Sequence, residues 1–169
     1  NGSGCGCETA SERSMCGKYI LDSVLYWTEE YHIDGFRFDL MGLHDLATMQ
    51  EVENAVHAIN PEAILYGEGW TMGSTIDGSP MANQGQISKI EPLEGAIGGI
   101  AVFNDTIRDG LKGSVYEKTS KGYINGSSKA TLSKVLFGIK GGVGVGVGWS
   151  VENSMVINYM SAHDNNTLW

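Results

Sequence analysis

Apolar residues along this chain follow two rhythms. Met15, Tyr19, Ser23, Trp27 and Tyr31 recur at every fourth position, and Ile20 and Val24 widen the stripe, which predicts an amphipathic helix. Ile33 to Met41 is a short aromatic and apolar run opened by Asp34-Gly35, which predicts a buried strand. A second helical stripe follows in Leu46, Met49, Val52, Val56 and Ile59, closed by Asn60-Pro61. Ala63 to Gly67 reads as the next strand. From Trp70 to Gly99 the chain is rich in Gly, Ser, Asn and Pro and has no period, so it reads as a long loop of the kind that often carries function. A third strand is expected at Ile100 to Phe103. Asn104 or Asp105 then caps a helix that runs through Leu111 and stops at Gly113. Tyr123 to Ser128 is a turn-rich connector. Leu132, Val135, Leu136 and Ile139 mark another helix. Gly141 to Ser150 alternates glycine strictly, a low-complexity run that does not read as a strand. The last strand is placed at Met155 to Met160.

Buried strands alternating with helices imply parallel pairing and an α/β fold. A closed (β/α)8 barrel takes about 250 residues; this chain of 169 could supply roughly four of its eight units. A small doubly wound sheet is the other architecture this order permits.

Composition narrows the function. Hydrophobic residues at 41% and charged residues at 18% are those of a globular chain. No apolar run is long enough to span a membrane. A net charge of −9 repels phosphate backbones, which disfavours nucleic acid and leaves a neutral partner such as a sugar unopposed. The polar, glycine-rich start lacks the features of a signal peptide. Cys5, Cys7 and Cys16 make an odd count, and His32 is the only histidine near them in sequence; free thiols are the leading reading, with a disulfide and a metal site as weaker ones, and no cofactor is implied.

Candidate chemistry lies at the strand ends. In Gly35 to Leu40, alternation puts Gly35, Arg37 and Asp39 on one face and Phe36, Phe38 and Leu40 on the other. Arg37 beside Asp39 at a strand's C-terminal end suits an ionised carboxylate in an active site; a structural ion pair within the sheet fits the same spacing. Glu68 follows Asp39 by one loop, one helix and one strand, which places both carboxylates at one rim on neighbouring strands. Such a pair suits acid/base and nucleophilic roles in glycoside cleavage. Glycines flank Glu68, and Trp70 beside it offers a flat face to a sugar ring or simply packs in the core. His163-Asp164-Asn165 is a polar triplet after an apolar strand, either a ligand-facing rim or an Asx-turn, with metal binding a weaker third reading. Asn104-Asp105 and Arg108-Asp109 read as capping and ion-pair residues. The nucleophile elbow of esterases and the phosphate loop are absent.

With these residues in view, the chain resembles a known family. DGFRFDLMG, Asp34 to Gly42, is similar to the nucleophile motif of the alpha-amylase clan, glycoside hydrolase family 13. YGEGW, Tyr66 to Trp70, resembles its acid/base motif in the debranching form, and SAHDNNTLW, Ser161 to Trp169, its third motif. The opening residues and Phe103 to Gly113 further resemble type I pullulanases. The resemblance implies a partial (β/α)8 barrel, about its fourth to seventh strand–helix units, in a fragment cut at both ends. It implies an alpha-glucan substrate and a retaining cleavage of alpha-1,6 bonds, with another enzyme of the clan (isoamylase-like or an alpha-1,4-amylase) or a non-catalytic alpha-glucan binder as the alternatives. Asp39 would be nucleophile, Glu68 acid/base, and Asp164 the stabiliser of the distorted sugar, with Arg37, Trp70, His163 and Asn165 binding substrate.

Overall fold

The computed structural model describes residues 4, 6–127, 131–143 and 152–167. Cys5, the Asn1–Ser3 start, most of the glycine-alternating run and Trp169 lie outside the described residues. The chain forms two compact units, Asn1–Val102 and Phe103–Trp169.

The first unit is built from α1 (Ser14–Tyr31), β1 (Gly35–Phe38), α2 (Leu46–Ile59), β2 (Ile64–Gly67) and the start of β3 (Ala101–Asn104). β1 pairs with β2 in parallel, Gly35 opposite Ile64 and Phe38 opposite Gly67. β2 pairs with β3 in parallel through Tyr66–Ala101 and Gly67–Val102. The α/β class and the parallel pairing expected from the alternation are therefore present.

Helix α2 has the bounds that its stripe predicts. Asp45 caps it, its side chain accepting from the Thr48 N–H at 2.9 Å. Met49, Val52 and Val56 are fully buried, each worth roughly 1.5–3 kcal/mol of apolar transfer. Two polar residues share that buried face. Glu53 Oε1 lies 2.7 Å from His57 Nδ1, and His57 Nε2 lies 2.9 Å from the Ala63 carbonyl. A carbonyl only accepts, so Nε2 carries a proton. Glu53 Oε1 also accepts from the Leu93 N–H at 2.9 Å, while Gln50 exchanges hydrogen bonds with the backbone of Glu91. The long loop thus has an anchor on α2, which compensates for its lack of internal periodicity.

Helix α1 matches its predicted span, but of the predicted stripe only the Val24 edge is buried. Gly17, Val24 and Thr28 are inside, whereas Met15, Tyr19 and Tyr31 are more than half exposed. The reason is close approach: a Cβ on Gly17 would stand 3.1 Å from Thr48 Oγ1, so the small residues turn toward α2 and the aromatic stripe turns outward. Tyr26 then meets Trp27 and Tyr31 edge to face, and the Trp27 and Tyr31 rings lie tilted with centroids 4.6 Å apart.

The second unit holds the end of β3, α3 (Asp105–Lys112), α4 (Leu132–Ile139) and β4 (Val156–Asn158), which neighbours β3. Asn104 is the α3 cap, accepting from Ile107, and Gly113 ends the helix at φ 93°, as the sequence indicates. Gly110 and Gly138 have no room for a Cβ against Lys134 and Ile107, so α3 and α4 pack closely. Asn104 donates to Asn158, and Asn158 donates to the Gly138 carbonyl, tying β4 to both neighbours. β4 is shorter than Met155 to Met160: a short helical turn at Asn153–Met155 takes its first residue, and the strand ends at Asn158.

Candidate active site

The site in the first unit is made where β1 and β2 end side by side. The Phe38–Gly67 register places Asp39 and Glu68 one residue beyond the paired strands. β1 stops earlier than the apolar run suggests. Leu40 adopts the left-handed conformation, φ 46° and ψ 38°, and the chain turns into a short helical turn at Met41–Leu43. Strict alternation therefore ends at Phe38, and Asp39 stands in the turn, exposed.

That turn wraps the start of the neighbouring one. The Glu68 N–H donates to the Phe38 carbonyl at 3.1 Å, and the Gly42 N–H donates to the Glu68 carbonyl at 2.8 Å. The Leu40 N–H donates to Glu68 Oε2 at 2.8 Å. Glycines make the approach feasible. A Cβ on Gly42 would run into the Trp70 carbonyl oxygen, and one on Gly67 would lie 2.7 Å from the Phe38 carbonyl oxygen and from Met41 Cβ.

Arg37 joins the two carboxylates. Its Nη1 binds Asp39 Oδ1, and its Nη2 lies 3.0 Å from Glu68 Oε1. Glu68 is buried, so this charge-assisted contact is made where the dielectric is lower than in water. Burial pulls the Arg37 pKa down, but the hydrogen bond to Asp39 and the charges of Glu68 and Asp39 outweigh it and hold the guanidinium above its ordinary range. Both Glu68 oxygens are engaged, Oε1 in the ion pair with Arg37 and Oε2 in a hydrogen bond from a backbone amide.

A cavity of about 170 Å³ opens beside Asp39 and Leu40, bounded also by Cys7, Glu8, Thr9, Leu43 and His44. Cys7 and Cys16 are free thiols. His44 was not among the sequence candidates. Burial lowers its pKa against a smaller opposing effect of Asp45, and its Nδ1 is buried with no hydrogen-bond partner among the described residues. Its signal in the sequence was its place just after the nucleophile motif, on the turn leading into α2. Trp70 is half-buried, with its carbonyl against Gly42.

In the second unit, His163, Asp164 and Asn165 form an exposed polar turn. His163 Nε2 lies 3.3 Å from Asp164 Oδ1, and Asn165 takes a left-handed φ of 62°. Asn166 anchors this turn, donating to the Val115 carbonyl at 3.1 Å and accepting from Lys112. Arg108 pairs with Asp109 at 2.7 Å and donates to the Tyr159 hydroxyl, the structural role read for that pair. Among the described residues no group of three or more His, Cys, Asp or Glu is arranged to hold a metal ion. No described helix is long and apolar enough to cross a membrane.

No family model matches the chain. Individual proteins do. The pullulanase of Bacillus subtilis is 35% identical over 175 residues, covering 100% of this chain and 23% of that protein. The chloroplastic pullulanase 1 of Arabidopsis thaliana is 31% identical over 215 residues, covering 98% of this chain and 22% of that protein. Among solved structures, a Paenibacillus barengoltzii pullulanase in complex with maltohexaose and alpha-cyclodextrin superposes with a TM-score of 0.90 at 41% identity, covering 99% of this chain and 25% of that one. The chain spans about a quarter of the length of these relatives. Agreement in sequence and in backbone, sustained over the whole chain, places it: the chain belongs to the pullulanase family within glycoside hydrolase family 13.

Proposed function

We propose that the complete protein carrying this segment is a retaining debranching hydrolase that opens alpha-1,6 bonds in pullulan, starch or glycogen-type alpha-glucans. The observation that carries the reading is that one guanidinium, Arg37, binds both Asp39 and Glu68 at the ends of paired parallel strands. Residues 1–169 belong in this reading to a catalytic (β/α)8 barrel, as about its fourth to seventh units. The maltooligosaccharides in the structures of its relatives favour an alpha-glucan as substrate.

Asp39 attacks the anomeric carbon while Glu68 gives its proton to the departing glycosidic oxygen, leaving a glycosyl ester on Asp39. Water then attacks the same anomeric carbon, Glu68 takes the water's proton, and the bond from that carbon to Asp39 breaks, releasing Asp39 as a carboxylate. Retaining chemistry needs the two carboxyl groups about 5–5.5 Å apart, and neighbouring strands spaced by about 4.8 Å make that separation reachable. To carry its proton, Glu68 exchanges its ion pair with Arg37 for the leaving oxygen. Asp164 and His163 bind hydroxyls of the distorted sugar, with Asn165 beside them, and Trp70 lines the leaving-group side.

Product analysis on pullulan tests this. Maltotriose released by the complete protein, and lost in Asp39→Asn and Glu68→Gln, is the expected result. Panose or isopanose would mean cleavage of alpha-1,4 bonds, and turnover unaffected by either substitution would remove these residues from the mechanism.

A further inference from the structure

The Phe38–Gly42 turn holds Glu68 at three points, and one of them is made by a residue that has no obvious reason to be leucine. Leu40 sits at φ 46° and ψ 38°, a region where side chains other than those of glycine, asparagine and aspartate are uncommon. The conformation has one visible product. It aims the Leu40 N–H at Glu68 Oε2, 2.8 Å away. Glu68 Oε1 meanwhile faces Arg37, which is already engaged with Asp39.

The two oxygens of Glu68 are thus held differently. Oε1 is bound by a guanidinium at the end of a long side chain, a partner that keeps Asp39 when Glu68 moves. Oε2 is bound by main chain in a turn fixed by two further backbone hydrogen bonds to Glu68 itself. We propose that Leu40 is a positioning residue for the acid/base: its backbone N–H is the fixed anchor of Glu68, about which Oε1 passes between Arg37 and the glycosidic oxygen. This rests on the reading of Glu68 as acid/base. It assigns the function to the conformation and amide of Leu40, and none to its side chain.

The test compares three variants of the complete protein. Leu40→Val disfavours the left-handed region, because β-branching makes a positive φ an outlier. Leu40→Gly keeps the amide and adopts that region freely. Glu68→Gln examines the underlying assignment. Each is measured as kcat/KM on pullulan, whose leaving group needs a proton, and on alpha-maltotriosyl fluoride, whose leaving group does not. Leu40→Val should lose about 10- to 100-fold on pullulan, the range expected for a displaced catalytic group, and no more than about threefold on the fluoride. Leu40→Gly should lose clearly less than Leu40→Val on pullulan.

Equal losses on both substrates in Leu40→Val would mean a general distortion, and would overturn the proposal. So would an equal loss on pullulan in Leu40→Gly, which would put the role in the side chain, or no loss in Leu40→Val. Should Leu40→Val fail to give a cooperative melt, an ester replacing the Leu40 amide deletes only the N–H and is read the same way. Glu68→Gln that retains pullulan turnover removes the acid/base assignment itself, an outcome separate from any result at Leu40.

Discussion

Replacing Gly42 by alanine adds one methyl group at the point where the two strand-end turns meet. Built on the observed backbone, that carbon collides with the Trp70 carbonyl oxygen, and it lies 2.9 Å from the Trp70 nitrogen and 3.0 Å from its carbonyl carbon. All three are main-chain atoms, so no rotamer change relieves the overlap. Gly42 is not at a positive φ, so alanine suits its own backbone and the effect is purely steric. The turns must separate, and the Gly42–Glu68 backbone hydrogen bond is the first interaction lost. Overpacking costs about 1–3 kcal/mol, and a lost hydrogen bond adds about 1 kcal/mol each. The total of about 2–4 kcal/mol should lower the melting transition of the domain containing this segment by on the order of 10 °C. Because Glu68 shifts with the turn, turnover at a temperature where the variant is folded should fall by about 100-fold. Calorimetry of the complete protein with pullulan turnover checks both effects. Gly85→Ala is the control, since its methyl group would meet only Asn83 Oδ1 at 3.4 Å. A Gly42→Ala protein with unchanged melting and turnover would show that the turns separate freely, and the account of the clamp would be wrong.

Three further outcomes follow from other parts of the structure. Glu53→Ala leaves buried His57 and the Leu93 amide without their carboxylate and should cost about 3–5 kcal/mol, read from the denaturation midpoint; a change under about 1 kcal/mol would refute the anchoring role. Burial lowers the His44 pKa, so the unfolded chain binds a proton before the native one does. Stability from this group is complete above about 6.5 and declines as the pH falls toward the native pKa, and His44→Gln should flatten that part of the melting-temperature profile. Residues 1–169 expressed alone expose the Tyr26, Trp27 and Tyr31 rings and should self-associate in sedimentation experiments; a monomer at high concentration would contradict this.

Much of this architecture was legible because it is local. The α2 stripe and the Asn104 cap are set by residues three and four apart, and the structure has both at the expected places. The proximity of Asp39 to Glu68 was legible because a loop, a helix and a strand of ordinary length return the chain to the neighbouring position. What escaped depends on contacts distant in sequence. Nothing beside Leu40 announces a left-handed leucine; the requirement comes from Glu68, in another turn. The aromatic stripe of α1 is a genuine helical signal, yet Gly17 against Thr48 decides which face turns inward. Glu53 and His57 left a trace that went unused. They stand four apart, inside the arc defined by Met49, Val52 and Val56, where a solvated pair would not be expected.

The glycine contacts at the strand ends also bear on how this protein can be varied. Every amino-acid-changing point mutation of a glycine codon introduces a Cβ. At Gly42, Gly67 and Gly69 that atom meets neighbours at distances real Cβ atoms do not tolerate. Random libraries selected for stability or turnover should therefore return these three positions unchanged. Diversity spent on Gly78 and Gly95, which have nothing within 4 Å of a built Cβ, meets no such barrier. Both of those glycines have positive φ, so asparagine is the substitution to begin with there.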